Sequence, residues 1–386
     1  GLTVVPVDAQ TWHKELWALA GFTGARAVLA SERCFSKLTE EGLAENEASP
    51  SPILFFNVDQ KCQVFQRSNL PQTCEPSPTP GKFNLPKVGP EDPASIIFTT
   101  GTMVDPRGAV HTHRNFLTNL YGVNKNLPIK SSDVVLSVLP LYHALEFTCG
   151  FLMPISGGAK IVYATTLKPR MILETMRRTG TTCMLGVPTL YSLLRDYLER
   201  KVLGAKGSTF KANLMATSKQ ISRSLERSLG RNIGRKLFSR VHQEFGGKVR
   251  VFVSGGSPLS EDIFQDFNAL GMPIYEGYGL TETAPVLTVN PLNRSRARSA
   301  GRPLPGVELR LDHPDKHGVG EIVVRSPSLM KNYYKNNGAT RAVMEDDWFH
   351  TGDLGWVDVD GYIYITGRIK DVIVTGAGKN VYPMDL

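Results

Sequence analysis

Between residues 95 and 113 the chain reads SIIFTTGTMVDPRGAVHTH, an apolar run that ends in Thr99, Thr100, Gly101 and Thr102 and continues to Pro106, Arg107 and Gly108. Hydroxyls, glycines and one cation at a strand end suit a phosphate. Turn N–H groups and threonine hydroxyls donate to its oxygens, and the guanidinium adds charge-assisted bonds. The spacing is not GxxxxGK followed by Ser or Thr, which excludes the common P-loop. Read alone, the same residues describe an ordinary strand-to-loop turn. A second segment, VFVSGGSPLS, runs a buried strand into Gly255, Gly256 and Ser257. Glycine admits a flat ring or a backbone at close range, and the same letters also describe a tight turn with Ser257 or Ser260 capping a helix. In PIYEGYGLTETAPVLT, Tyr275, Tyr278, Thr281 and Glu282 crowd a turn broken by glycines, Gly279 among them. An aromatic face suits a purine, a hydroxyl a phosphate oxygen and a carboxylate Mg²⁺. The fourth segment, WFHTGDLGWVDVDGYIYITGRIKDVIVTGAGKNVYP, sets Asp353 in a Thr-Gly-Asp turn and Arg368 in a Gly-Arg turn. A carboxylate can hold two ribose hydroxyls, and an arginine can bond sugar or phosphate. Each is equally a β-turn residue or a surface cation when taken singly.

These groups need a scaffold that gathers distant strand ends. β-rich and helical runs alternate from 94 to 290, with strands expected at 96–98, 134–139, 160–163, 183–186, 249–253 and 274–275. That alternation predicts an α/β fold of parallel strands with crossover helices, its ligands at strand C-terminal ends. From about residue 300 the strands shorten and close up around glycine turns, predicting a small antiparallel barrel or sheet. The chain opens as strand (4–7), helix (12–19) and strand (27–29), and seven prolines between 71 and 93 read as an extended connection. The division that follows is a partial first lobe at 1–93, a nucleotide- and acyl-binding lobe at 94–296, a β-rich subdomain at 297–369 and a hinge at 370–386. A chain of 386 residues exceeds what one core usually supports, so two or three lobes are expected.

The bulk numbers narrow the class. Hydrophobic residues make up 41 % and charged residues 21 %, as in soluble globular proteins. Five cysteines, an odd count without a CxxC pair, argue against a disulfide framework or zinc site and for a reducing, cytoplasmic setting. The net charge of +8 is local: residues 200–250 hold 13 Lys/Arg against 2 Asp/Glu. A single basic segment does not make a nucleic-acid protein. Within it, Leu225, Leu229, Ile233, Leu237 and Val241 form one stripe, and Arg223, Arg227, Arg231 and Arg235 form another. This reads first as one surface helix with its leucine face in the core. The second reading is a surface for anionic membrane or an acidic carrier protein.

Together the segments resemble the acyl-adenylate-forming superfamily, which includes acyl-CoA synthetases, firefly luciferase and the adenylation domains of peptide synthetases. YGLTET, HTGDLGWVDVDGYIYITGRIKD and GKNVYP carry the resemblance, and LPLYHALEFT (139–148) is similar to the fatty-acyl branch. The resemblance implies ATP-dependent activation of a medium- to long-chain fatty acid to acyl-AMP, with Mg²⁺, followed by transfer to CoA. Transfer to acyl carrier protein and a non-catalytic nucleotide- or acyl-binding role are the alternatives. It implies Gly255, Gly256 and Ser257 on one side of the adenine and Tyr278 on the other. Thr281 would bond the α-phosphate, Glu282 would bind Mg²⁺, Asp353 would hold the ribose with Arg368 beside it, and His143 would meet the acyl carboxylate. Without the resemblance, His143 reads as a core histidine. Lys370 falls at the family's hinge. Thr99, Thr100, Thr102 and Arg107 would contact the β,γ-phosphates. Met103 and Val104 stand where the family has Thr and Gly, and a β-branched residue at a positive φ is strained by about 1–3 kcal/mol. The family also continues for roughly a hundred residues into a lid, so the chain reads as a fragment of a longer enzyme.

Overall fold

The computed structural model describes residues 2–8, 13–31, 54–57, 63–65, 71–73, 87–99, 107–203, 234–371, 373–374 and 380–381. After helix α1 (His13–Thr23), strands β1 (Ala27–Ala30), β2 (Leu54–Asn57), β3 (Gln63–Phe65) and β4 (Pro71–Thr73) form a small sheet in sequence order. Strands β5 (Pro93–Phe98) and β6 (Gly108–Thr112) run antiparallel, and helix α2 (His113–Asn126) follows. Thr112 starts α2 through a capping box: its Oγ1 accepts the Asn115 N–H, and its own N–H donates to Asn115 Oδ1 at 2.8 Å.

The main sheet contains β7 (Val134–Ser137), β8 (Lys160–Tyr163), β9 (Cys183–Gly186), β10 (Val251–Ser254), β11 (Ile274–Gly279), β12 (Val286–Val289) and β13 (Arg302–Pro303). Their order is β13-β12-β11-β10-β9-β7-β8; the pairs from β8 through β11 are parallel, and β12 and β13 are antiparallel additions. Neighbouring residues on one strand face opposite sides, and each side has its own core. Leu136, Met184, Phe252 and Ile274 pack with helices α3 (Pro169–Thr179), α4 (Pro188–Leu203) and α5 (Glu261–Ala269). Val135, Cys183, Val251 and Tyr275 face Val123 and Leu127, at the end of α2, and Met153. Covering both faces is what near-continuous apolar parallel strands require. The chain leaves β7 for β8 on one side and joins β9 on the other. The β7–β9 boundary is therefore a topological switch point, the usual place for a ligand in an open α/β sheet.

A second, antiparallel sheet joins β14 (Glu308–Asp312), β15 (Gly320–Arg325), β17 (Met344–Glu345), β18 (Trp348–Val357) and β19 (Ile363–Arg368). Ile322, Val324, Phe349 and Ile363 bury its inner face, and β16 (Asn332–Tyr333) crosses to pair with β6. The α/β architecture with an antiparallel subdomain is thus present as read from the sequence.

Three local expectations change. The opening valines give only an isolated bridge, Val4 to Ser95, and no strand. The strand expected at 96–98 lies outside the parallel sheet, in β5. Only residues 99–107 separate β5 from β6, whereas a parallel return needs a dozen or more residues. The basic helix falls largely outside the described residues. Its described end is two short helices, Gly234–Leu237 and Ser239–Glu244, with Phe238, Val241 and Phe245 buried and Leu237 46 % exposed. Among the described residues no helix is long and apolar enough to cross a membrane.

Candidate functional site

The turn after β11 is shaped by a close backbone approach. A Cβ on Gly279 would lie 1.9 Å from the Pro285 carbonyl oxygen, so only glycine allows the chain to fold back there. The fold-back makes a 3₁₀ turn, Thr281–Thr283, that presents Thr281 and Glu282. Two residues that the sequence reading passed over hold this turn. His111 on β6, fully buried, donates from Nε2 to the Thr281 carbonyl at 2.8 Å. Burial pushes its pKa down to about 4, so the ring is neutral. Tyr333 on β16 donates its hydroxyl to Glu282 Oε1 at 2.6 Å, and the Arg107 guanidinium stands 5.8 Å from the centre of the Tyr333 ring.

Asp353 is 4 % exposed on β18 and shares its carboxylate between two of the other predicted residues. Tyr278 donates its hydroxyl to Oδ2 at 2.8 Å, and Arg368 on β19 donates from Nε to Oδ1 at 2.8 Å. Burial raises the Asp353 pKa, against the Tyr278 hydrogen bond and the Arg368 charge. The turn before Asp353 is pinned by Glu321, also missed from sequence. Glu321 accepts the Gly352 N–H at 3.0 Å and pairs with His350 Nδ1 at 2.9 Å.

A cavity of about 420 Å³ lies beside this constellation. Gly255, Gly256, Tyr278, Gly279, Thr281 and His143 line one part of it; Val123, Met153, Cys183, Val251 and Val286 line the rest. Gly256 has φ 86°, the left-handed conformation that turns the chain after β10. His143 is exposed at the wall and does not belong to the core; desolvation lowers its pKa, opposed by the nearby Asp8. It follows β7 and precedes a π-helical turn, Glu146–Leu152, a distortion common at functional sites. Ser257 is exposed and is not in the cavity wall; the helix cap there is Ser260, whose Oγ accepts the Ile263 N–H. Thr99 and Arg107 close the base of the opening loop, the Thr99 N–H donating to the Arg107 carbonyl at 3.0 Å. Thr100, Gly101, Thr102, Met103 and Val104 lie outside the described residues. Lys370 is exposed in a 3₁₀ turn, Ile369–Asp371, just past β19.

Known proteins resemble this chain in sequence and in fold. The AMP-binding enzyme family matches residues 1–334. A long-chain-fatty-acid–CoA ligase of Mycobacterium bovis is 30 % identical over 306 residues, covering 76 % of this chain and 49 % of its own length. A chloroplastic long-chain-fatty-acid–acyl-carrier-protein ligase of Arabidopsis thaliana is 28 % identical over 355 residues, 77 % of this chain and 47 % of its own. The chain thus spans about half the length of these curated relatives. Among solved structures, apo MatB from Rhodopseudomonas palustris superposes with a TM-score of 0.72 at 23 % identity, over 99 % of this chain and 66 % of that one. O-succinylbenzoate coenzyme A synthetase from Bacillus subtilis, in complex with ATP and magnesium ion, gives 0.70 at 20 % identity, over 99 % and 67 %. At those identities the structures establish the fold.

Proposed function

The chain belongs to the AMP-binding enzyme family, and from that premise we propose that it joins a fatty acid carboxylate to the α-phosphate of ATP, releasing pyrophosphate, and passes the acyl group to CoA. One observation carries this reading. A single cavity is lined both by Gly255, Gly256, Tyr278 and Thr281 and by an apolar wall, with His143 lining it as well. Adenylation must hold two mutually repelling anions in line, so nucleotide and acid have to share one chamber. In this reading Tyr278 and the Gly255–Gly256 turn flank the adenine, and Ser257 lies at its rim. Asp353 and Arg368 take the ribose, Thr281 the α-phosphate, and His143 the acyl carboxylate. Thr99, Thr100, Gly101, Thr102 and Arg107 form the β,γ-phosphate loop, and Lys370 is the hinge. Glu282 fits Mg²⁺, because one or two carboxylates plus substrate phosphates is how that ion is usually held. When bound, the ion offsets phosphate charge.

An acyl carrier protein as acceptor is the second reading. It is supported by the 13 basic against 2 acidic residues between 200 and 250 and by the carrier-protein ligase among the relatives. ATP–pyrophosphate exchange driven by a fatty acid tests the first step. Exchange above the acid-free rate, reduced about 10²–10³-fold in Glu282→Ala, is the expected result. ATP binding without acid-dependent exchange would contradict it.

A further inference from the structure

We propose that the ion pair Arg250–Asp133 is the floor of the cavity and sets the longest acyl chain the cavity accepts; the inference rests on the acyl reading above. The cavity wall follows the strands toward their N-terminal ends. Along β10 and its flanks it runs from Gly255 to Arg250, along β9 from Leu185 to Cys183, and beside β7 from Leu139 to Val135. At that end the Arg250 guanidinium donates from Nε to Asp133 Oδ1 at 2.8 Å and from Nη2 to Oδ2 at 2.5 Å. Nη2 also donates to the Pro128 carbonyl at 2.6 Å. Pro128 and Ile129 line the cavity too and connect α2 to β7. Arg250 therefore ties the sheet to the segment opposite it.

This wall cannot swing aside easily. The Asp133 side chain is 3 % exposed and also accepts the Lys130 N–H at 2.7 Å and the Thr182 hydroxyl at 2.7 Å. Moving Arg250 would leave a buried carboxylate without its charge partner, a strongly unfavourable state. An apolar chain end that reaches the guanidinium meets a fixed, polar stop. The five residue steps from Gly255 to Arg250 span about 17 Å at the rise of a strand. An extended acyl chain advances about 1.3 Å per carbon, because carbon–carbon bonds of about 1.5 Å zigzag. The run therefore holds a straight chain of about 12–14 carbons.

Calorimetric titration of the chain with straight-chain acids from octanoate to octadecanoate tests this. Affinity should climb about fourfold per added methylene up to tetradecanoate. It should then fall about tenfold or more per methylene beyond the floor. Arg250→Ala should move the break toward octadecanoate. Because that variant unpairs Asp133, Ile129→Ala provides a second arm that deepens the same end without touching the ion pair, and it should shift the break in the same direction. Affinity that rises through octadecanoate in the native chain, unmoved in Ile129→Ala, would overturn the floor and leave the acyl reading standing. No binding at any length would overturn the acyl reading and the floor with it.

Discussion

Two carboxylates at the site are held in opposite ways, and their substitutions should report different things. Asp353 has both oxygens occupied, by Tyr278 and Arg368, and in the proposed reading it holds the ribose. Asp353→Asn should weaken AMP binding by about ten- to a hundredfold, the range for losing a charged hydrogen bond, as read by titration calorimetry. Glu282 has one oxygen steadied by Tyr333. Tyr333→Phe should leave AMP binding nearly unchanged while weakening the Mg²⁺ dependence of ATP binding, which the same titration with and without the ion measures. Two further carboxyls shape stability. Glu146 is fully buried, and Gly150 makes its room: a Cβ there would sit 2.2 Å from Oε1. Burial pushes Glu146 up to about 7, and Glu276 likewise. Both bind protons more tightly folded than unfolded. Their stabilisation is complete below the unfolded value near 4.5 and is lost as pH rises through about 7. His111, pushed down to about 4, works the other way, losing stability as pH falls below its unfolded 6.5. Two groups outweigh one, so the thermal midpoint should fall from about pH 5 to about pH 8. Glu146→Gln should remove most of that fall, on the order of 2–3 kcal/mol; an unchanged slope in the variant would contradict the burial account.

Strands and turns carry the site through packing and close approach. Phe252 is fully buried and meets Tyr191, Phe245 and Phe267 at ring-centre distances of 5.6, 5.5 and 5.8 Å, all edge-on. Phe252→Ala should destabilise the chain by about 3–5 kcal/mol in denaturant melts. Gly279→Ala should be worse for function than for stability. The added methyl cannot share space with the Pro285 carbonyl, so the Thr281–Thr283 turn must move and AMP affinity should collapse in titrations even where the chain still melts cooperatively. At this scale much is legible in the amino-acid sequence. β7, β9 and β10 are short apolar runs ending in glycine or a loop, a pattern that points to buried parallel strands. The antiparallel placement of β5 is not legible, because its composition matches the parallel strands and only the brevity of the return to β6 distinguishes it. The end of the basic segment misleads for a different reason. Phe238, Val241, His242 and Phe245 are buried at helical spacing, so the aromatic stripe takes the core and leaves Leu237, one position away, outside.

Across the whole molecule, Asp353, Arg368 and Tyr278 come together because the antiparallel subdomain brings the first two against the main sheet. That meeting is expected only through the family resemblance. His111 acts on a residue 170 positions away, and Tyr333 on one 51 positions away. Neither contact leaves a periodicity or spacing to read, since it exists only once β6 and β16 have paired. The cavity is equally a tertiary product, bounded by α2, the π-helical turn and strands from the main sheet, and it joins the nucleotide candidates to an apolar wall. The claim that this one chamber holds both halves of an acyl-adenylate is tested most directly by titrating a non-hydrolysable dodecanoyl-AMP mimic against AMP and dodecanoate separately. Binding about 10²-fold or more tighter than AMP alone, with both affinities lowered together in Tyr278→Ala, is the predicted result. A mimic that binds no better than AMP would show that the apolar wall does not receive the acyl chain, and would contradict the account.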